Sequence, residues 1–128
     1  MSEPIFIKTQ IALYKTFTPC FCPAIQDTVY FTSDGLNHIL YYRRRPRKQK
    51  ERYYRAGLIP HIVAVIQYSN KAVKSIKTDS PLIVIWVLSH EVIDHNRNKQ
   101  IIKVVLKKEG AGKVKFLSVM RKKYTPKN

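Results

Sequence analysis

The sequence is short of acid, short of cysteine and has no long apolar run. Only 8 of its 128 residues are Asp or Glu, against 24 Lys or Arg, which leaves a net charge of +16. Self-repulsion of that size opposes folding and a polyanion relieves it, so the shortage of acid points first to nucleic acid and second to an anionic membrane surface. The longest uninterrupted apolar run, "LIVIWVL" at 82–88, has seven residues, far below the roughly 20 that a membrane-spanning helix needs. A clean basic amphipathic helix is missing too, which sets a membrane-surface protein behind a nucleic-acid binder. The first residues, "MSEPIFIKTQIALYK", lack a charged start leading into a sustained apolar segment and a small-residue cleavage site. The expected address is therefore the cytoplasm, with no membrane partner.

The two cysteines, Cys20 and Cys22 in "TPCFCPA", are too close for an unstrained disulfide. No second Cys pair or closely spaced His pair completes a four-ligand zinc site around them. They are expected as free thiols in a proline-flanked loop. The segment "SHEVIDHNRN" at 89–98 places His90 and His95 five apart, whereas a zinc-protease helix needs two His four apart with a Glu beside the first. It reads as a polar hairpin loop, and no metal or other cofactor is expected.

What is present is enough for a core. Hydrophobic residues make up 45% and aromatics 11%, which argues against disorder, and the length suits one domain. There is no internal repeat and no long Gly/Ser linker, so residues 1–121 are expected as one domain and 122–128 as a basic tail. Residues 4–17 have no clean period and stay ambiguous between strand and helix. "DTVYF" at 27–31 is β-branched and aromatic and reads as a strand. Ser33 or Asp34 can cap a following helix, in which Leu36, Ile39 and Leu40 share a face, and Pro46 should end or break it. A second helix is expected from Lys48 to Gly57, and a third from Pro60, with Ile62, Val65 and Ile66 inward.

From residue 72 onward the chain reads as four strands. "PLIVIWVL" is apolar at successive positions, as a strand covered on both faces would be. "KQIIKVVLKK" alternates Ile102, Val104 and Leu106 against Ile101, Lys103, Val105 and Lys107. "KVKFLSVM" places Val114, Phe116, Ser118 and Met120 on one face, and residues 110–112 make a hairpin between these last two. The expected fold is α+β, with N-terminal helices packed on a four-stranded antiparallel sheet.

The chemistry concentrates in 43–55, "RRRPRKQKERYYR", where eight Arg or Lys meet one acid, Glu51, for a net +7. Arginine forks suit phosphate oxygens, and the adjoining tyrosines offer faces on which bases stack. The bland reading of a charge run is a solvated face. The excess over the whole chain favours RNA contacts here, from Tyr42, Arg43, Arg44, Arg45, Arg47, Lys48, Arg52 and Tyr53. His38 in "SDGLNHILYY" is the nearest acid–base group. A lone helix histidine is more often a packing residue, but RNA cleavage without a metal needs a base for the 2′-OH proton and cations around the phosphorane-like transition state.

The order of a strand, a "DGLNHI" helix start, a second helical region before a Pro-initiated segment, and four strands closing on "KVKFLSVM" resembles the small RNases and toxins related to barnase, EndoU, colicin D and RelE. It is most similar to members found in phage and in contact-dependent toxin tips, whose first helix often carries a "HI" pair and whose last strand carries a Ser or Thr. The resemblance spans roughly residues 27–121. It implies a metal-independent endoribonuclease acting on tRNA, mRNA or rRNA, with an acidic antitoxin or immunity protein as partner. His38 would be the general base or acid, Ser118 would contact the scissile phosphate, and Lys103 or Lys107 would stabilise transition-state charge. A second catalytic histidine has no secure match, and His61 reads as structural. The alternative is a non-catalytic RNA-binding module, ribosome-associated for example, using the same basic patch.

Overall fold

A computed structural model of the chain describes residues 4–78, 80–93 and 96–122. The elements run α1 (Ile5–Lys15), β1 (Cys20–Cys22), β2 (Asp27–Tyr30), α2 (Ser33–Leu40), β3 (Tyr41–Tyr42), β4 (Arg45–Pro46), α3 (Gln49–Ala56), a 3-10 turn (Ile59–His61), α4 (Ile62–Tyr68), β5 (Ala72–Lys77), β6 (Ile83–Ile93), β7 (Lys99–Glu109) and β8 (Val114–Arg121). The class is α+β. The sheet, however, has six strands in the order β1-β2-β8-β7-β6-β5 and is mixed, where four antiparallel strands were expected. Strands β5 to β8 form the antiparallel part. Strand β2 adds to β8 in parallel through Val29↔Val114 and Tyr30↔Lys115, and β1 pairs antiparallel with β2. The cysteine segment is therefore an edge strand rather than a loop. Both thiols are free and buried, and burial, the leading cause, pushes both pKa values up.

The ambiguous N-terminal arm is a helix that buries Ile7 and Tyr14. Tyr14 joins Phe17, Phe31 and Phe116 in an aromatic cluster, and its hydroxyl donates to the Thr32 carbonyl at 2.6 Å. Burial, partly offset by that bond, raises its pKa to about 12. The third expected helix buries Ile62, Val65 and Ile66 as its pattern requires.

Residues opposite each other in a ladder share a face, which sorts the sheet into two. Leu88, Val104, Leu106, Phe116 and Val119 are buried and face the helices. The other face carries Ile85, Val87, Lys103, Val105 and Lys107. Strand β6 is consequently half-buried rather than covered on both faces, and it runs on through Ser89 to Ile93. That strand takes in half of the segment expected as a loop; Asp94 and His95 lie outside the described residues, as do 123–128 of the tail. The hairpin at 110–112 is present, with Gly110 at φ +53° and the Gly112 amide donating to the Glu109 carbonyl at 2.9 Å.

Helix α2 begins after Thr32, and no side-chain hydrogen bond caps it, so neither Ser33 nor Asp34 serves as the cap. It ends at Leu40, well before Pro46, because the chain turns extended at Tyr41 and closes a two-residue hairpin through Tyr42↔Arg45. Gly35 lets α2 press on β8. A Cβ there would lie 2.5 Å from Phe116 Cδ2 and 2.7 Å from the Phe116 carbonyl oxygen.

Candidate active site at the seam between helix 2 and strand 8

Strand β8 does not keep the alternation its sequence suggests. Val105 faces Ser118, but Leu106 faces Phe116, so Leu117 is the extra residue of a β-bulge. A bulge re-aims the side chains beyond it. Phe116 and Val119 point into the core, while Ser118 and Met120 join Val105 and Lys103 on the other face. The expectation that Ser118 shares a face with Phe116 is thus corrected, for a reason local to one residue.

Beyond its two pairs with β2, the edge of β8 is closed by helices α2 and α3. Arg55 Nη1 donates to the Val119 carbonyl at 3.3 Å, and the Tyr54 hydroxyl accepts from the Arg121 amide at 2.9 Å. These bonds satisfy backbone groups that a neighbouring strand would otherwise pair.

Along this seam lies an open cleft of about 850 Å³. His38 and Ser118 line it together with Arg43, Arg44, Arg47 and Arg55, and Tyr42 and Met120 border it. Two of the four arginines are anchored. Arg47 donates from Nε and Nη2 to the His38 carbonyl at 3.2 and 3.0 Å, and Arg55 Nε pairs with Glu51 Oε1 at 2.8 Å. Glu51 also lies 4.0 Å from Arg47, so the carboxylate that holds Arg55 adds a longer-range attraction on Arg47. Burial, then the neighbouring Arg55, pulls the Arg47 pKa down while Glu51 raises it.

The other two arginines come from strain. Arg43 and Arg44 have φ of +50° and +68°, as a two-residue hairpin turn of the mirror-image type demands. Asn-Gly is the usual occupant of such a turn. The Arg43 and Arg47 guanidinium carbons sit 5.4 and 5.5 Å from the centre of the Tyr42 ring.

His38 is exposed, yet its pKa lies below the ordinary histidine value. Desolvation is the first cause and the Arg47 charge the second; Lys107 and Arg55 add to it and Asp34 opposes it. The ring is held toward its neutral form, which accepts a proton.

On the other side of His38 is a smaller cavity of about 360 Å³, reached by Lys107, Lys113 and Lys115 and by the carboxylates Asp34 and Glu109. Lys107 and Lys115 are direct cross-strand partners, a like-charge pairing that is unfavourable unless an anion lies near. Lys107 Nζ has one, Glu109 Oε1 at 2.7 Å.

Of the residues singled out from sequence, His38, Ser118, Tyr42, Arg43, Arg44 and Arg47 come together in the cleft, and Lys107 reaches the adjoining cavity. Lys103, Arg45, Lys48, Arg52 and Tyr53 line neither. Lys103 stands opposite Met120 on the open face. The face of Tyr53 is taken by Phe6, stacked at 5.4 Å with planes 3° apart. Sequence reasoning missed Arg55, Asn37 and Lys115 as lining residues. The spacing of Arg47, Glu51 and Arg55, four apart twice, was the available signal for Arg55.

Among the described residues no three His, Cys, Asp or Glu side chains gather where they could hold a metal, and no helix is long and apolar enough to cross a membrane. Comparison with protein families, curated proteins and solved structures finds no match to this chain.

Proposed function

We propose that this protein is an endoribonuclease of the metal-independent, toxin-like kind, cleaving RNA by attack of a 2′-hydroxyl on the adjacent phosphate. The observation that carries the reading is the bulge at Leu117, which moves Ser118 off the core face of the sheet and, though it stays only 9% exposed, into the lining of one cleft with His38 and four arginines. A side chain so re-aimed beside a proton acceptor and a cationic wall suits phosphoryl transfer, where positioning and charge stabilisation supply most of the rate.

Neutral His38 takes the proton from the 2′-OH as that oxygen bonds to phosphorus. The P–O5′ bond then breaks, leaving a 2′,3′-cyclic phosphate, and the 5′-oxygen takes up a proton from water. The Ser118 hydroxyl orients a non-bridging oxygen, and Arg43 and Arg44 stabilise the charge that builds on the phosphorane. Lys107 is the sheet cation nearest this chemistry by lining; Lys103 lies further along the face. An acidic protein that covers the cleft would be the natural partner of so basic a surface.

The second reading, RNA binding without cleavage, draws on Lys107 being engaged by Glu109 and on Lys103 lying outside the cleft. One experiment separates them. Purified protein is incubated with total RNA in EDTA beside the His38→Ala variant. Cleavage by the parent protein, reduced about 100-fold or more in the variant as loss of a general base predicts, supports the nuclease. Intact RNA with tight, salt-sensitive binding leaves the binding module.

The pH dependence carries the sign of the His38 shift. A general base acts when deprotonated, so activity falls on the acid side as His38 protonates. Because its pKa is lowered, the midpoint of that limb in a kcat/KM profile is expected below about 6.5, the ordinary histidine value. A limb at or above that value would remove His38 from the role.

A further inference from the structure

Strand β5 ends the sheet, with β6 on one side and no described strand on the other. We propose that this free edge docks an extended segment of an acidic protein, which adds a further strand to the sheet and sets its carboxylates against Lys74 and Lys77. The edge lines neither cavity, and the proposal holds whether or not the cleft cleaves RNA.

The other edges of the sheet are protected. Strand β1 has three residues between Pro19 and Pro23, buries both of its thiols and packs against α4. The part of β8 beyond β2 is bonded by Arg55 and Tyr54. Among the described residues, β5 has no such cover. It runs for six residues without proline or bulge, its register unbroken from Ala72↔Leu88 to Lys77↔Ile83. All but Ala72 are exposed, and Val73 on one face and Ile76 on the other are open by 68% and 52%. On an edge strand, a row of N–H and C=O groups points away from the sheet and accepts another strand. The buried Ser69 hydroxyl, 3.0 Å from the Lys71 carbonyl oxygen and 3.1 Å from that of Ser89, fixes the start of β5 on β6. The edge is therefore ordered before a partner arrives, which lowers the cost of binding.

The occupant follows from charge and side-chain type. Residues 70–78 hold Lys71, Lys74 and Lys77 and no acid. Lysines on an edge keep like strands apart, and two copies at +16 each repel, which sets a second copy aside. The same lysines attract a strand that bears carboxylates. RNA fits this edge less well, because Val73 and Ile76 give bases no aromatic face to stack on. The nearest large ring, the half-buried Trp86, lies under the Lys74 ammonium, 6.0 Å from its centre. A polypeptide meets every group on the edge: its backbone takes the outward N–H and C=O groups, its apolar side chains cover Val73 and Ile76, and its carboxylates face the lysines. Side chains alternate between faces, and residues directly opposite each other pair on the same face. Opposite Val73 to Lys77 in order, the partner strand thus needs an apolar residue, an acid, a small polar residue, an apolar residue and an acid. Main-chain bonds supply the affinity of such added strands, and the alternating side chains supply the selectivity.

The test is a titration of the intact protein, followed by backbone amide NMR, with the end-blocked peptide Glu-Ile-Thr-Glu-Val-Thr, which presents that order to β5 when antiparallel. Amides of residues 72–77 and 83–88 should shift, and the peptide should bind about tenfold or more tighter than its counterpart with Lys in place of both Glu. Methylating the backbone nitrogens of one alternate set of peptide residues should abolish binding, and methylating the other set should spare it, because only one set faces the edge. In the Lys74→Glu, Lys77→Glu double variant the preference between the Glu and Lys peptides should reverse; both side chains are exposed, and the amide spectrum itself reports folding. No shift at 72–77, or shifts confined to residues 43–47, overturns the proposal, since charge alone would then draw the peptide to the arginines. An equal effect of the two methylated sets, or an unchanged preference in the variant, overturns it as well. Self-association that shifts 72–77 without peptide gives the edge to a second copy, and displacement of the peptide from 72–77 by a single-stranded RNA oligomer gives it to RNA; either result removes the acidic protein.

Discussion

Arg43 and Arg44 occupy the two turn positions where side chains are least welcome. Left-handed backbone costs a residue with a Cβ about 1–2 kcal/mol relative to glycine, and strain of this kind gathers at working sites. The Asn-Gly replacement of this pair is therefore expected to raise the melting temperature by about 3–6 °C while weakening RNA binding, read by thermal denaturation and a filter-binding isotherm. A variant that gains stability and keeps full affinity would strip the turn of its role. Composition alone marked this arginine run as a candidate for phosphate contacts, since charge is additive along a chain. It did not tell which arginines reach the cleft, because that depends on a turn whose geometry no Gly or Asn announces. Ser118 escaped correct placement for a similar reason. "KVKFLSVM" alternates without a break, and nothing in it marks Leu117 as the extra residue.

At the scale of elements, the approach of α2 to β8 sets where His38 stands. Gly35→Ala would gain up to about 1 kcal/mol of helix propensity, but the added Cβ meets the Phe116 backbone oxygen and the Tyr14 hydroxyl, each at 2.7 Å. Neither is a free side-chain end that moves cheaply, so overpacking of about 1–3 kcal/mol should win. The expected result is a lower urea midpoint and a loss of cleavage exceeding the loss of RNA affinity. Unchanged cleavage would mean that α2 can retreat without consequence. Helices α2 and α4 and strands β7 and β8 were legible because their apolar periods are long enough to read. Strand β1 was not, since three residues between prolines carry no period. Its partnership, and the parallel join of β2 to β8, unites positions 29 and 114, a pairing that local pattern does not encode.

For the whole molecule, the charge of +16 predicts steep salt dependence, and the cleft predicts which cations matter. Each phosphate contact to single-stranded RNA contributes about 0.7 to the slope of log affinity against log salt. Removing Arg43 and Arg44 together should lower the slope by about 1.4, measured by fluorescence anisotropy over a salt series. Lys77→Ala, on the far edge strand β5, should leave it unchanged. Equal changes from both variants would make the surface a diffuse polycation without a cleft. Arg55 links this charge to the fate of the chain in solution. Its guanidinium borders the cleft and, with the Tyr54 hydroxyl, closes part of the β8 edge that β2 leaves uncovered. An uncovered strand edge is a template for another molecule's strand. A substitution that removes the Arg55 guanidinium from the cleft thus also uncovers the Val119 carbonyl, and a variant without it needs another group to close that edge.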